Sequence, residues 1–341
     1  MHLSYINNKK SEMGIKNLNR FIRDNCPDSI KCIPFNELYG KKIAIDISIY
    51  MYKYAGDDSL VENMYLMLGV LKFYNIIPIF IFDGKPPDEK KALLKKRRQD
   101  KKTAEEEYNK LVNNMGDIDD MNEDDKQELH VNMDALKKQF VYITRNQIET
   151  VKSMIRAFGH TYFDAPGEAD ELCALLVIKK RVWACLSEDM DMFVYGCPRV
   201  LRYLSLMQKT VVMYEQKSIL KDLRITQDEF REICILSGSD YNINMDNKMD
   251  LYKTLRLFKK YKKNNDDVNI NFYKWLEKND NSHIDYDMLY SIKTMFILVD
   301  QYQKDGLKVF EQVKIINGMM KLEDIRDVLE DDGFIFNTGY P

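Results

Sequence analysis

The chain has 341 residues, 45% of them hydrophobic, enough for one large core or two modest domains. Its 51 basic and 54 acidic residues nearly cancel to a formal charge of -3, which by itself says nothing about partners, because a basic patch can be masked by acids clustered elsewhere. No stretch approaches the roughly 20 apolar residues of a membrane span, and the opening MHLSYINNKKSEMG lacks the apolar region of a signal peptide, so an intracellular protein is expected. The six cysteines are dispersed without a C-x-x-C pair, and Cys173, Cys185 and Cys234 sit in apolar runs, which reads as buried free thiols of a reducing compartment.

In chain order, Lys42 to Asp46 and Ile76 to Asp83 are short apolar runs that each end in an aspartate and predict buried strands. Between them, Leu60, Met64, Met67, Leu68 and Leu71 fall at helical spacing within Ser59 to Phe73. Strand, helix and strand with few intervening residues is the pattern of a parallel sheet. From Asp88 to Gln139 the character changes. A basic run (Lys90, Lys91, Lys95, Lys96, Arg97, Arg98, Lys101, Lys102) passes into Glu105-Glu106-Glu107 and then Gly116-Asp117-Ile118-Asp119-Asp120. This segment is too polar to bury much and predicts an inserted helical arm with a flexible tip. Further on, Glu168 to Lys179 predicts a helix, Arg181 to Leu186 a buried strand, and Val200 to Leu204 with Thr210 to Tyr214 a further pair of strands. After Ser218 the pattern is helical to about Leu329, with a polar break near Lys262 to Asn271, and there is no internal repeat.

In an open parallel sheet, ligands bind outside the carboxyl ends of the strands. Three strand candidates end at or just before acids: Asp46, Asp83 and the group Glu188, Asp189 and Asp191. A further cluster, Glu168, Asp170 and Glu171, follows Ala165-Pro166-Gly167 at a helix start, and Asp240 lies at the end of an amphipathic helix. Asp189 and Asp191 face the same way if their segment is extended. Any one of these acids has an ordinary explanation, since acids are favoured at helix N-termini and in solvated turns. Their convergence on one sheet edge is harder to explain, because so many carboxylates repel unless cations or protons neutralise them. With no histidine or cysteine in these clusters, hard divalent ions such as Mg²⁺ or Mn²⁺ suit the site and zinc does not. Two such ions about 4 Å apart would clamp the attacking and leaving oxygens of a phosphodiester. Lys90 and Arg97, seven residues apart, are nearly in register on a helix beginning just after Asp83-Gly84-Lys85-Pro86-Pro87, where they would overlook the acids and hold the scissile phosphate. A solvated basic helix face is the alternative reading of that run.

These segments closely resemble the flap endonuclease family within the wider XPG-type 5′-nucleases. Met13-Gly14-Ile15 looks like the family's start, and Ala44-Ile45-Asp46 is similar to its first catalytic strand. Phe82-Asp83-Gly84-Lys85-Pro86-Pro87 matches a highly specific motif, and Ala165-Pro166-Gly167-Glu168-Ala169-Asp170 resembles the Glu-Ala-Glu segment with Asp170 in place of the second Glu. Ser187-Glu188-Asp189-Met190-Asp191 and Gly238-Ser239-Asp240-Tyr241 match the last two acidic motifs, so the likeness runs in order from about residue 13 to 241. The resemblance implies an α/β, PIN-like nuclease core with a central, mostly parallel sheet, an inserted helical arch and a C-terminal helical region. It implies two Mg²⁺ ions per site, with Mn²⁺ able to substitute, held by Asp46, Asp83, Glu168, Asp170, Asp189, Asp191 and Asp240. Lys90 and Arg97 become the catalytic phosphate clamps at the base of an arch through which a 5′ flap passes. Tyr52 aligns with the aromatic that stacks on the nucleotide beside the scissile bond, though an aromatic there also suits a core; Lys85 and Arg145 join it as substrate-binding candidates. Glu188 belongs to its motif without an assigned ligand role.

The expected organisation is an N-terminal extension over 1–12, a nuclease region over 13–110, an arch tip over 111–139, an internal nuclease region over 140–240 and a C-terminal helical region over 241–341. Three departures from the family pattern stand out. Twelve residues precede Met13, where the family usually places its α-amino end near the site. Asn242 to Tyr261 contains no glycine, where the family has a Gly-rich helix-turn-helix that grips duplex phosphates, often with a monovalent ion; Lys248, Lys253, Lys259, Lys260, Lys262 and Lys263 remain to supply charge. The chain ends Asp332-Gly333-Phe334-Ile335-Phe336-Asn337 without the glutamine-led, double-aromatic peptide that docks family members to sliding clamps, so no clamp contact of that type is expected. The expected activity is a 5′ flap endonuclease and 5′-3′ exonuclease on flapped or branched DNA in replication and repair, acting as a monomer without membrane contact, in the nucleus of a eukaryotic cell or, for a large DNA virus, in the viral factory or host cytoplasm. The alternatives are an exonuclease or four-way-junction resolvase of the same superfamily acting in recombination, or a non-catalytic DNA-binding relative.

Overall fold

The computed structural model describes residues 14–113, 131–242, 249–264, 270–279, 284–298 and 313–334. The expected extension 1–12 with Met13, the arm tip at Gly116 to Asp120, Lys248 and the terminal Ile335 to Asn337 lie outside the described residues.

Among the described residues, seven strands form one sheet: β1 (Ile30–Pro34), β2 (Lys42–Asp46), β3 (Ile77–Phe82), β4 (Thr161–Asp164), β5 (Ala184–Leu186), β6 (Arg199–Ser205) and β7 (Thr210–Glu215). Their spatial order is β1-β7-β6-β5-β2-β3-β4. Strands β6, β5, β2, β3 and β4 run parallel, while β7 and β1 add an antiparallel margin. The helices are α1 (Leu18–Asn25), α2 (Ile47–Gly56), α3 (Leu60–Phe73), α4 (Lys91–Asn113), α5 (Arg145–Ala157), α6 (Ala169–Ile178), α7 (Asp191–Tyr195), α8 (Gln216–Leu223), α9 (Gln227–Leu236), α10 (Leu251–Asn264), α11 (Phe272–Asn279), α12 (Tyr286–Met295) and α13 (Leu322–Asp331), with a further helical stretch over 131–137.

Side chains alternate across a strand, and here the alternation divides the apolar interior into two layers. Ala44, Ile79, Ile81, Cys185 and Val200 join one core with Leu18 and Ile22 of α1, Cys173 of α6, Phe230 of α9, Phe258 of α10, Phe272 of α11 and Leu289 of α12. Ile43, Ile45, Phe80, Phe82, Leu186 and Leu201 join the other with Tyr50 of α2, Met64 and Leu68 of α3, Val151 and Ile155 of α5, and Ile325 and Leu329 of α13. Parallel strands buried on both faces explain why β2, β3 and β5 read as continuous apolar runs. Helices α5 and α9 each begin at a reciprocal capping box, Thr144 with Gln147 and Thr226 with Glu229.

Several expectations need correction. The strand expected over Arg181 to Leu186 is confined to Ala184–Leu186; Trp183 still donates to the Lys42 carbonyl at 2.7 Å. The helical pattern does not run unbroken to Leu329, because residues 313–321 lie outside any helix and form a strap beside β4. Asn317 bridges His160, and Gly318 donates to the Gly159 carbonyl at 2.7 Å. Strands β1 and β4 were not expected at all. All six cysteines are free, and five are buried; Cys32 is exposed.

Candidate active site

The acids sit where strands hand over to helices. Asp46 ends β2 and is the N-cap of α2; Asp83 follows β3; Glu168 is the N-cap of α6 with Asp170 in its first turn; and Asp191 opens α7. Helix N-termini present unpaired N–H groups and the positive end of the backbone dipole, so these positions tolerate carboxylates that a strand interior would not. Asp83 Oδ1 accepts from the Ala169 N–H at 2.9 Å, tying the end of β3 to the start of α6. Gly84 makes that approach possible: its N–H donates to the Gly167 carbonyl at 2.7 Å, and a Cβ on it would collide with the Ala165 carbonyl oxygen.

Ser187 to Asp189 lies outside any strand and Met190 turns into α7, which corrects the expectation that Asp189 and Asp191 share a side by strand alternation. The two are brought together by local hydrogen bonds instead. The Asp191 N–H donates to Asp189 Oδ1 at 2.8 Å, the Asp189 N–H donates to Ser187 Oγ at 3.2 Å, and the fully buried Ser187 hydroxyl donates to Asp46 Oδ2 at 3.3 Å. Glu188 turns away from the acids and fastens β6. Arg202 reaches its side chain at 3.5 Å and donates to its backbone carbonyl at 2.8 Å, and the Tyr203 N–H donates to Glu188 Oε1 at 2.6 Å. Gly14, with φ of 76°, lies against the same acids; a Cβ there would stand 2.5 Å from Asp191 Oδ1 and 2.7 Å from Asp189 Oδ1.

The arm delivers its cations to this edge. Lys90 closes a single 3-10 turn, Asp88–Lys90, rather than lying within the following helix α4. Its ammonium is buried and 2.7 Å from both Glu168 oxygens. Arg97, two turns along α4, pairs with Asp240 at 3.0 Å, where the Asp240 side chain is 13% exposed. Tyr241 completes the group. Its hydroxyl donates to Glu168 Oε2 at 2.9 Å and meets the Tyr195 hydroxyl at 3.3 Å, while the Lys90 ammonium stands 4.9 Å from its ring centre.

The electrostatics match a crowded anionic cage. Burial, then the nearby Asp83 and Asp189, pushes Asp46 well above the ordinary carboxylate range. Burial also raises Asp170, opposed by Lys90 and reinforced by Glu168, Asp189 and Asp46; Asp191 rises through burial and then Asp189 and Asp240. Burial alone would lower Lys90, but Asp170, Tyr241 and Glu168 outweigh it and keep the ammonium charged. Asp46 Oδ1 and Asp191 Oδ1 are buried without any hydrogen-bond partner, a costly arrangement unless a cation completes it. Among the described residues no three carboxylate, histidine or cysteine side chains already converge as a finished metal cage. The donor set is nevertheless all oxygen, anionic and partly orphaned, which fits a hard divalent cation.

Of the remaining predicted residues, Tyr52 on α2 is 47% exposed and carries the Lys101 ammonium 4.7 Å from its ring centre, so it is not a core aromatic. Lys85 is exposed and lines a 290 Å³ cavity with Glu89, Glu168, Glu171, Tyr195 and Tyr241. Arg145 is exposed at the first position of α5 and makes no ion pair with the acids among the described residues. Ser187, Tyr195 and Tyr241 are positioning groups that the sequence reading missed. Ser187 and Tyr241 lie inside acidic motifs, whose carboxylates carry the recognisable signal, whereas Tyr195 has no local signal at all.

Two family models match the chain, the XPG N-terminal domain over residues 13–104 and the XPG I-region over residues 159–240. A curated maize (Zea mays) protein, flap endonuclease 1, is 34% identical over 252 residues, covering 67% of this chain and 62% of its own. This chain thus spans about 62% of the length of the curated plant relatives it matches. Among solved structures, the catalytic core of Rad2 in complex with DNA substrate superposes with a TM-score of 0.60 at 19% identity, over 93% of this chain and 94% of that one. Flap endonuclease-1 from Methanococcus jannaschii superposes with a TM-score of 0.53 at 25% identity, over 89% of this chain and 97% of that one.

Proposed function

The chain belongs to the flap endonuclease family of XPG-type nucleases, and from that premise we propose that it is a structure-specific 5′ flap endonuclease with 5′-3′ exonuclease activity on DNA. The observation that supports this reading is that acids from five segments lie close enough at one sheet edge to raise the pKa of the buried Asp46, Asp170 and Asp191, with Lys90 and Arg97 ion-paired into the group. Asp46, Asp83, Glu168, Asp170, Asp189, Asp191 and Asp240 would hold divalent ions, Mg²⁺ by the chemistry of the donor set, with Mn²⁺ able to substitute. Such ions supply Lewis acidity towards the phosphoryl oxygens when bound.

The chain's own residues do the positioning. Lys90 and Arg97 give the scissile phosphate two fixed cations, and Lys90 keeps its charge in a buried site because Asp170, Tyr241 and Glu168 surround it. A phosphate oxygen arriving at the buried Lys90 exchanges one anionic partner for another, so that ammonium is not desolvated anew, whereas the half-exposed Arg97 still gives up water. Tyr52, half exposed on α2, offers a face on which the base beside the scissile bond stacks, worth about 1–3 kcal/mol. Lysines along α10, including Lys253, Lys259 and Lys260, lend charge for the duplex side in a region that lacks glycine. The compartment that suits this activity is the one holding replicating or damaged DNA. Among the described residues no helix is long and apolar enough to cross a membrane.

The test is a panel of labelled DNA substrates, namely 5′-flapped, nicked, gapped and four-way, incubated with Mg²⁺ or with chelator. Release of the flap near its junction, only with Mg²⁺, is expected. A marked preference for four-way DNA would favour a junction resolvase, and metal-independent binding without cleavage would leave only a binding protein.

A further inference from the structure

At the foot of the arm lies a cluster that the carboxylate site does not use. The Lys101 ammonium on α4 stands 4.7 Å from the ring centre of Tyr52 on α2 and 5.2 Å from that of Tyr142, and it donates to the Val141 carbonyl at 2.7 Å. Tyr142 in turn donates its hydroxyl to Glu105 Oε2 at 3.1 Å, one turn further along the same face of α4. The two tyrosines are 47% and 56% exposed, so the core does not fix their rings. An ammonium over an aromatic face is attracted by the ring quadrupole, and a single lysine sharing two rings and a carbonyl holds all three in one arrangement.

The same cluster joins both legs of the arm. Residues 139–144 return from the arm toward α5, and a Cβ on Gly56 at the end of α2 would lie 3.4 Å from the Val141 side chain. Other ties on that leg are the exposed ion pairs of Lys138 with Asp57 at 2.8 Å and Lys137 with Asp58, of the kind that contributes little, and the Phe140 ring packed 5.4 Å from that of Tyr108 on α4, which involves no charge. Arg97, which pairs with Asp240 in the acid site, precedes Lys101 by one helical turn on α4. One face of one helix therefore meets both the acids and Tyr52.

We propose that Lys101 is a positioning residue: it orients the Tyr52 ring for base stacking and latches α4 to the returning segment 139–144. The stacking half rests on the nuclease reading above, whereas the latch does not. The two rings and the carbonyl also explain why this lysine is aimed inward while its neighbour Lys102 pairs outward with Glu106 at 3.6 Å.

The test compares wild type, Lys101→Met and Lys101→Arg in two readouts. Methionine keeps most of the length of the side chain but removes the charge, whereas arginine keeps a cation over the rings. Without DNA, amide hydrogen exchange in 139–144 is expected to speed up about tenfold in Lys101→Met and to stay near wild type in Lys101→Arg. On a 5′-flap substrate, kcat is expected to fall about tenfold in Lys101→Met with KM little changed, and to recover in Lys101→Arg. Unchanged exchange in Lys101→Met overturns the latch, and an effect confined to KM overturns the positioning role, because a plain phosphate contact would act that way. If wild type cleaves no substrate, the nuclease reading fails, and the exchange measurement alone decides the latch.

Discussion

Tyr241 is where the two charges of the site are held together. Its hydroxyl donates to Glu168 while its ring faces the Lys90 ammonium, so one side chain orients an acid and the cation paired with that acid. Edge-on packing against Phe296, 5.4 Å between ring centres, keeps the ring itself from swinging. Tyr241→Phe removes only the hydroxyl. The expected cost is about 1 kcal/mol in stability by thermal melting and about a tenfold drop in single-turnover cleavage, as Glu168 and Lys90 lose a shared restraint. A rate equal to wild type would show that Tyr241 is only a packing residue. The sequence makes Asp240 visible through its neighbours Gly238 and Ser239, but the Tyr241 contact reaches back to Glu168 across 73 positions, and no local pattern encodes it. The same holds for Ser187, whose hydroxyl links Asp46 to Asp189 from within a motif legible only through its acids.

At the scale of elements, the strand-to-helix junctions were readable because apolar runs ending in aspartate mark them directly. What lay between 187 and 191 was not. Strand alternation and a hydrogen-bonded turn both bring Asp189 and Asp191 together, and spacing alone does not distinguish them. The junction after β3 depends on backbone contact, which makes Gly84 a sensitive position. Gly84→Ala is expected to cost about 3 kcal/mol or more, because the colliding atom is a backbone carbonyl held between β4 and α6 and not the end of a flexible side chain. Urea titration checks this, and a loss below about 1 kcal/mol would mean the two loops can separate freely.

The strap over residues 313–321 escaped sequence reading for a related reason: it has no periodic apolar pattern, and it is held by backbone bonds to Ala157 and Gly159 and by the Thr161 hydroxyl, which accepts from the Ile316 N–H and donates to the Lys314 carbonyl. Lys72 reinforces it, donating to Asn317 Oδ1 at 2.7 Å and to the Gly318 carbonyl. Beneath it His160 is buried. Burial, helped by the Lys72 ammonium and opposed by a hydrogen bond to the Leu68 backbone, pulls its pKa from 6.5 down to about 4. The unfolded chain therefore takes up a proton before the folded one does. Stability is full above the unfolded pKa of 6.5 and declines as pH falls toward about 4, by roughly 3 kcal/mol in total. His160→Leu is expected to flatten that decline in chemical unfolding measured across the same range. An unchanged slope would assign the acid sensitivity to other groups.

At the scale of the molecule, the sheet is assembled from two distant stretches of chain. β2 from the N-terminal part lies between β3 and β5, and β5 comes from the internal part, so the acids of both parts meet only when β2 and β5 pair through Ile43 to Ile45 and Ala184 to Leu186. The apolar runs and their aspartates made the parallel core legible. The antiparallel margin of β1 and β7 was only half legible, because β1 shows the exposure pattern of an edge strand, with one buried residue in five. The arm was legible as a basic helix, yet its cations differ in role. Lys90 is buried on Glu168, Arg97 reaches Asp240 and Lys101 turns to Tyr52, distinctions that depend on what each turn of the arm faces and not on charge.

The central claim is that the gathered carboxylates, served by the arm cations, cleave DNA at a flap junction. The most direct measurement is single-turnover cleavage of a labelled 5′-flap duplex with Mg²⁺ by wild type and by Asp189→Ala, alongside a thermal melt of both. Wild type is expected to release the flap. Asp189→Ala is expected to lose at least about a thousandfold in rate while melting no lower than wild type, since it relieves repulsion among buried acids. An Asp189→Ala variant that cuts as fast as wild type would contradict the account.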